Sequence, residues 1–145
     1  MKAIRRTDLR SLAVGSVLDD PGAPCPCGLP ATYAACCGAI HRGERRAVTA
    51  EALMRSRYSA FAVGDIAHLR ASWHPDTVPR RIRDDPDRTW TGLDVVATTG
   101  GGLLDQEGTV TFDAHHRDAD GDHTLHEVSR FVRLDGAWVY VGRAD

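Results

Sequence analysis

All four cysteines of the chain lie in one short stretch, Cys25-Pro26-Cys27-Gly28-Leu29-Pro30-Ala31-Thr32-Tyr33-Ala34-Ala35-Cys36-Cys37. That placement constrains the fold more than any other feature. A single residue separates the first two thiols, and the last two are adjacent. Thiolates are soft ligands, and Zn²⁺ accepts four of them tetrahedrally. Pro26 fixes φ and Gly28 permits positive φ, which suits a tight knuckle around the first pair. Ala31 to Cys37 has no helix breaker, and a helical turn there aims the second pair back at the knuckle. Disulfides compete poorly. Adjacent Cys36 and Cys37 cannot bridge each other without strain, and nothing in the chain signals an oxidising compartment. A redox thiol lacks its C-x-x-C. The reading is a small lobe closed by structural zinc on Cys25, Cys27, Cys36 and Cys37, with no open position for a catalytic water. His41 is the alternative ligand, in place of Cys37. Otherwise it is a solvent-facing member of the basic run that follows, and that is the preferred reading.

These residues carry a resemblance. C-P-C-G, then eight residues between Cys27 and Cys36, then a further ligand at once, resembles the SEC-C motif, a zinc-binding tail also found on the bacterial secretion motor. Beyond it, Thr49-Ala50-Glu51-Ala52-Leu53-Met54-Arg55-Ser56-Arg57-Tyr58-Ser59-Ala60-Phe61 and Trp73-His74-Pro75 resemble the YchJ family of bacterial proteins. Leu125-His126-Glu127, Ser129-Arg130-Phe131 and Trp138-Val139-Tyr140 extend the match. It runs from about Pro24 to Val141 and leaves out the residues before. Leu29-Pro30 stands where SEC-C has Ser-Gly, which alters the turn but keeps the cysteine spacing. The resemblance implies an NTF2-like main domain and supplies no activity.

Composition limits the function classes. A chain of 145 residues with 42% hydrophobic and 26% charged content reads as one ordinary globular domain. Its formal net charge of -2 argues against nucleic acid or an anionic membrane as partner. Nucleic-acid binding through Arg42, Arg45, Arg46, Arg80, Arg81 and Arg83 is a weak third reading. No apolar run approaches the roughly 20 residues that span a bilayer. Leu12-Ala13-Val14 is too short for a signal-peptide core. The expectation is a cytoplasmic protein, where reduced thiols are free to hold metal.

In order, residues 1–23 read as an N-terminal arm, with a short helix expected over Asp8–Val17. The zinc lobe occupies 24–42, and a basic linker leads to an NTF2-like domain over 47–145. Thr49 caps a helix in which Glu51 faces Arg55, and Leu53, Met54, Tyr58, Ala60 and Phe61 form a core stripe. Arg57 beside that stripe is read as snorkelling rather than entering a cavity. Gly64 and Asp65 end one helix and cap the next, which stops at Trp73-His74-Pro75. Val78–Ile82 is expected as a short strand. Trp90–Thr99 follows, with Leu93, Val95 and Ala97 on one face, then Gly108–Ala114, a polar turn over His115–Gly121, His123–Leu134 and Ala137–Val141. Asp135-Gly136 joins the last two. Helices followed by a meander give an α+β fold: a helical hairpin packed on a curved antiparallel sheet.

Such a sheet encloses a pocket, the default small-molecule site. Its candidates are Arg57, Tyr58, Trp73, His74, His126, Glu127, Ser129 and Arg130. Strand alternation admits either His126 with Arg130 or Glu127 with Ser129, never both pairs. His115, His116, His123 and His126 fit no metal spacing and read as surface histidines. The preferred function is a binding or adaptor protein that recruits a protein partner through its zinc lobe. The alternative is a small enzyme using the cone for acid/base chemistry. A cone filled by Tyr58, Trp73 and Phe131 ends the enzyme reading. An open cone with a carboxylate near a His or Arg supports it.

Overall fold

The structure is a computed structural model and describes residues 18–144. The expected helix over Asp8–Val17 lies outside the described residues. Three helices are named here: α1 (Cys37–His41), α2 (Ala50–Val63) and α3 (Ile66–Ala71). Four strands follow: β1 (Thr89–Gly100), β2 (Glu107–Asp118), β3 (Gly121–Leu134) and β4 (Ala137–Arg143). They form one antiparallel sheet in the order β1-β2-β3-β4.

Local chemistry sets the helix ends. Thr49 Oγ1 accepts from Ala52 N at 3.0 Å, which satisfies one free amide of the first turn. Ala50 N donates to Gly101 O at 2.9 Å, tying the same end to the β1–β2 turn. Gly64 closes α2 with φ 78, and Asp65 Oδ1 caps α3 through His68 N at 3.0 Å. Arg55 pairs with Glu51 at 3.0 Å one turn back.

The core lies between α2 and the concave sheet face. Leu53, Met54 and Tyr58 from α2 meet Val110, Phe112, Ala114, Phe131 and Trp138. Alternation along β2 and β3 puts these on one side of the sheet. Asp135 (φ 53) and Gly136 (φ 85) make the two-residue β3–β4 turn in the doubly left-handed form that such hairpins favour. The segment after α3 joins β4 edge-on. Tyr140 N donates to Ser72 O, and His74 N to Tyr140 O, both at 2.8 Å.

Several expectations fail for identifiable reasons. Ala97 is exposed, because a bulge between Val95 and Ala97 reverses the alternation and sets Thr98, itself exposed, opposite Val110 instead. Val78–Ile82 forms no strand: Thr77 N and Val78 N turn back onto His74 O, and Arg70 holds the carbonyls of Pro79 and Arg80. The polar turn over His115–Gly121 shrinks to Ala119–Asp120, since β2 and β3 stay paired out to Asp118 and Gly121. The helix expected over Ala31–Cys37 starts only at Cys37. Ahead of it, Tyr33 O accepts from both Cys36 N and Gly38 N. No described helix is long and apolar enough to cross a membrane.

Candidate metal centre and candidate binding cavity

The lobe is built around its sulfurs. Pro24 and Thr32 form an isolated bridge, Cys25 N donates to Ala31 O at 3.0 Å, and Gly28 N donates to Cys25 O at 3.2 Å. The knuckle thus folds back on itself, with Gly28 at φ 90. Gly38 has no room for a side chain, since a Cβ there would sit 2.6 Å from Tyr33 O. That close approach lets α1 start beside the knuckle and present Cys36 and Cys37 to it.

The ligand atoms of Cys25, Cys27, Cys36 and Cys37 all lie within 4.8 Å of one another, and all four residues are buried. No disulfide joins them. A tetrahedral ion with metal–sulfur bonds of about 2.3 Å sets its sulfurs about 3.8 Å apart. Cys27 Sγ and Cys36 Sγ are 3.7 Å apart, so the spacing fits. The charge balance fits as well. Hydrogen bonds from Cys27 and Cys37 lower the Cys25 thiol. Burial, then the charges of Cys25 and Cys27, push Cys36 up to about 11. Hydrogen bonding to Cys25 and Cys27, with burial, raises Cys37 too. Four buried thiolates cannot coexist unaided, and a divalent cation removes the conflict.

His41 stands outside the sulfur cluster and is not solvent-facing. Its side chain is 3% exposed. Nε2 donates to Ser56 O at 2.8 Å, because a carbonyl can only accept. Nδ1 therefore accepts from Tyr33 OH at 2.7 Å, and both ring nitrogens are used. Burial pushes the Tyr33 phenol up to about 12, which keeps it a donor. His68 packs 4.5 Å from the His41 ring and donates from Nε2 to Ser56 Oγ at 2.9 Å, the serine proton going to Leu53 O. Arg55 Nη1 reaches Cys27 O at 2.7 Å, and Val63 completes the apolar cluster around the sulfurs. The lobe is thus fastened along the outer side of α2.

On the inner side of α2 lies a cavity of about 180 Å³. Arg57, Tyr58, Trp73, Glu127 and Ser129 line it. Arg57 is buried, not snorkelling: Nη1 donates to Leu69 O at 2.9 Å and Ser72 Oγ at 2.7 Å. Its guanidinium lies 4.6 Å from the Trp73 ring and 4.3 Å from the Tyr140 ring. Burial pulls it down to about 10, so it keeps its charge at neutral pH. Glu127 Oε2 accepts from Ser129 Oγ and, at 3.0 Å, from Tyr140 OH, while Oε1 accepts from Arg143 Nη1 at 3.2 Å.

The other pocket candidates sit elsewhere. His126 and Arg130 are on the outer sheet face, with His126 Nδ1 2.6 Å from Asp113 Oδ1. Parity with Phe131 decides this, since Phe131, Ser129 and Glu127 share the buried face. His74 lies outside the cavity, where Nδ1 accepts from Asp76 N at 3.0 Å. The histidines of β2 and β3 stay apart from any metal cluster among the described residues: His115 pairs with Asp94, His123 with Asp118, and His116 stacks on His123. Arg88, Trp90, Tyr140 and Arg143 were missed. Alternation of Tyr140 with Trp138 was the one available signal. Arg88 reads as part of a polar loop.

The arrangement is that of an NTF2-like domain with a SEC-C-type cysteine lobe set against its first long helix. Residues 49–142 match the middle NTF2-like domain of YchJ. A UPF0225 protein of Streptomyces coelicolor is 52% identical over 120 residues, covering 83% of this chain and 94% of that protein. One from Deinococcus radiodurans is 46% identical over 126 residues, 86% of this chain and 92% of its own. The solution structure of a SEC-C motif containing protein from Rhodopseudomonas palustris superposes with TM-score 0.70 at 31% identity, over 82% of this chain and 95% of that one. The chain belongs to the YchJ (UPF0225) family.

Proposed function

We propose that this protein is a zinc-braced binding protein. Cys25, Cys27, Cys36 and Cys37 hold one structural Zn²⁺, and the cavity of the NTF2-like cone receives a small molecule. The observation that carries this reading is the pairing of two features on opposite sides of α2. Outside, four buried sulfurs stand at metal-ligand spacing. Inside, the cone is open around a charged side chain. The ion's part is to fix the lobe that grips α2 through Arg55 and His41, and so to keep the cavity wall in place. A closed site of four thiolates offers no position for a reacting water.

The open cone with Glu127 beside Arg143 meets the condition set for acid/base chemistry, but the state of Glu127 favours binding. Three donors already occupy its oxygens, which leaves little of the carboxylate for proton transfer. The outer side of the lobe, where Leu29 is exposed, is the surface proposed for a protein partner. Elemental analysis of reduced, purified protein tests the metal reading and should give one zinc per chain. Absence of bound metal overturns it. A pull-down with wild type and Cys27→Ser tests the partner: a protein captured equally by both does not use the lobe.

A further inference from the structure

The cone cavity has an unbalanced set of polar groups. Among the described residues, the buried side-chain polar atoms without a hydrogen-bond partner are Trp73 Nε1, Arg88 Nε and His116 Nδ1. The first two belong to residues that line this cavity, and both are donors. Buried donors left unpaired cost free energy, so each calls for an acceptor. The charges lean the same way. Glu127 has its counter-charge in Arg143 at 3.2 Å. Arg57, 6% exposed, has no carboxylate within ion-pair distance among the described residues. Its contacts are the Leu69 carbonyl, the Ser72 hydroxyl and two aromatic faces, with both hydrogen bonds made by Nη1. The Nε and Nη2 donors take no acceptor among the described residues.

Size and walls restrict the occupant further. A dry cavity of about 150 Å³ holds a benzene ring. This one, at about 180 Å³, has room for a ring and one small substituent. Phe61, Trp90, Phe112 and Phe131 offer it aromatic surface.

We propose that the cavity binds a small organic acid with a single flat ring, its carboxylate held by Arg57 and, on a shift of their enclosed side chains, by Trp73 Nε1 and Arg88 Nε, and its ring among the aromatic walls. Glu127 also lines the cavity and acts on Arg57 from a distance, but its oxygens are taken by Ser129, Tyr140 and Arg143, so the acid supplies acceptors and a further negative charge for Arg57 and Arg88. A guanidinium edge suits a carboxylate through two parallel hydrogen bonds. This inference rests on the reading of the cone as a ligand site, and adds the charge and size of what enters.

The test uses the full, zinc-loaded chain and benzoate as probe, with benzylammonium and benzyl alcohol as cationic and neutral controls. The amide and indole N–H signals are followed by NMR during titration. Benzoate should saturate and move the Trp73 indole signal, while the controls bind at least tenfold more weakly. Trp73→Phe keeps a ring and removes the donor, and should weaken benzoate about tenfold, or about 1.4 kcal/mol. Arg57→Met should abolish binding. Should that variant fail to fold, Arg88→Met with Trp73→Phe serves instead and should weaken benzoate beyond Trp73→Phe alone. Equal or tighter binding of benzyl alcohol overturns the anion proposal but leaves the cavity as a ligand site. Absence of saturable binding by all three probes overturns both.

Discussion

Replacing Cys27 with serine should do more than release the metal. Cys27 is fully buried, and its carbonyl is the acceptor for Arg55 on α2. Once the sulfur is lost, three thiolates cannot hold the ion as four do, and the short lobe loses the binding energy that orders it, on the order of 10–16 kcal/mol in small zinc-folded peptides. The cone pays no such direct penalty, yet it loses what the lobe gave to α2. The charged hydrogen bond from Arg55 contributes about 1.5–3 kcal/mol. The His41–Ser56 bond contributes about 1 kcal/mol. Exposing Val63 costs about 1–2 kcal/mol. The sum is about 3.5–6 kcal/mol, which lowers the melting temperature by roughly 10–25 °C for a domain of this size. Calorimetry of wild type and Cys27→Ser, with zinc content measured on the same samples, checks the figure. A variant that has lost its zinc but melts within about 3 °C of wild type would show that the lobe is an appendage, and would refute the bracing argument. Full retention of zinc would refute the ligand assignment.

Three further outcomes are expected. His41→Phe should leave zinc content unchanged while lowering stability by about 1–3 kcal/mol, since two hydrogen bonds go and the Tyr33 hydroxyl loses its acceptor; a fall in zinc would make His41 a ligand after all. Burial and the neighbouring His41 pull His68 down to about 4, against an unfolded value near 6.5. The unfolded chain therefore binds the extra proton first. The stability contribution of His68 is complete above about pH 6.5 and is lost as pH falls toward about 4, at up to about 1.4 kcal/mol per pH unit. His68→Gln should flatten the denaturation curve over that window relative to wild type, and superimposable slopes would rule the effect out. Gly38→Ala should destabilise the lobe, because the new Cβ meets Tyr33 O. Limited proteolysis should cut the variant near α1 faster than wild type, and unchanged cleavage would show that the turn can shift.

Local signals were the legible ones. Thr49, Gly64 and Asp65 mark helix ends through chemistry within a turn of themselves, and each acts as its residue type suggests. The four cysteines were legible because their spacing alone limits where the sulfurs can go. Long-range partners were not. His41 finds its acceptor fifteen residues on, at Ser56 on α2, so sequence placed it in solvent. Arg57 is buried by Leu69, Ser72, Trp73 and Tyr140, which come from α3, the segment after it and the last strand. Alternation split His126 and Arg130 from Glu127 and Ser129 without saying which pair turns inward; Phe131 settles that only once the core is assembled. The bulge at Val95 and Ala97 leaves no local mark, which is why Ala97 fell on the wrong face.

The stitch between Ser72–His74 and Tyr140 has a temporal consequence. The wall that carries Trp73 is finished by a strand made much later in synthesis. While the ribosome is still extending the chain toward Tyr140, the lobe and α2 can already be in place, but the cone stands open along one seam. The ligand proposed for the cone could be retained only after that seam shuts, so its binding would report completion of the whole domain.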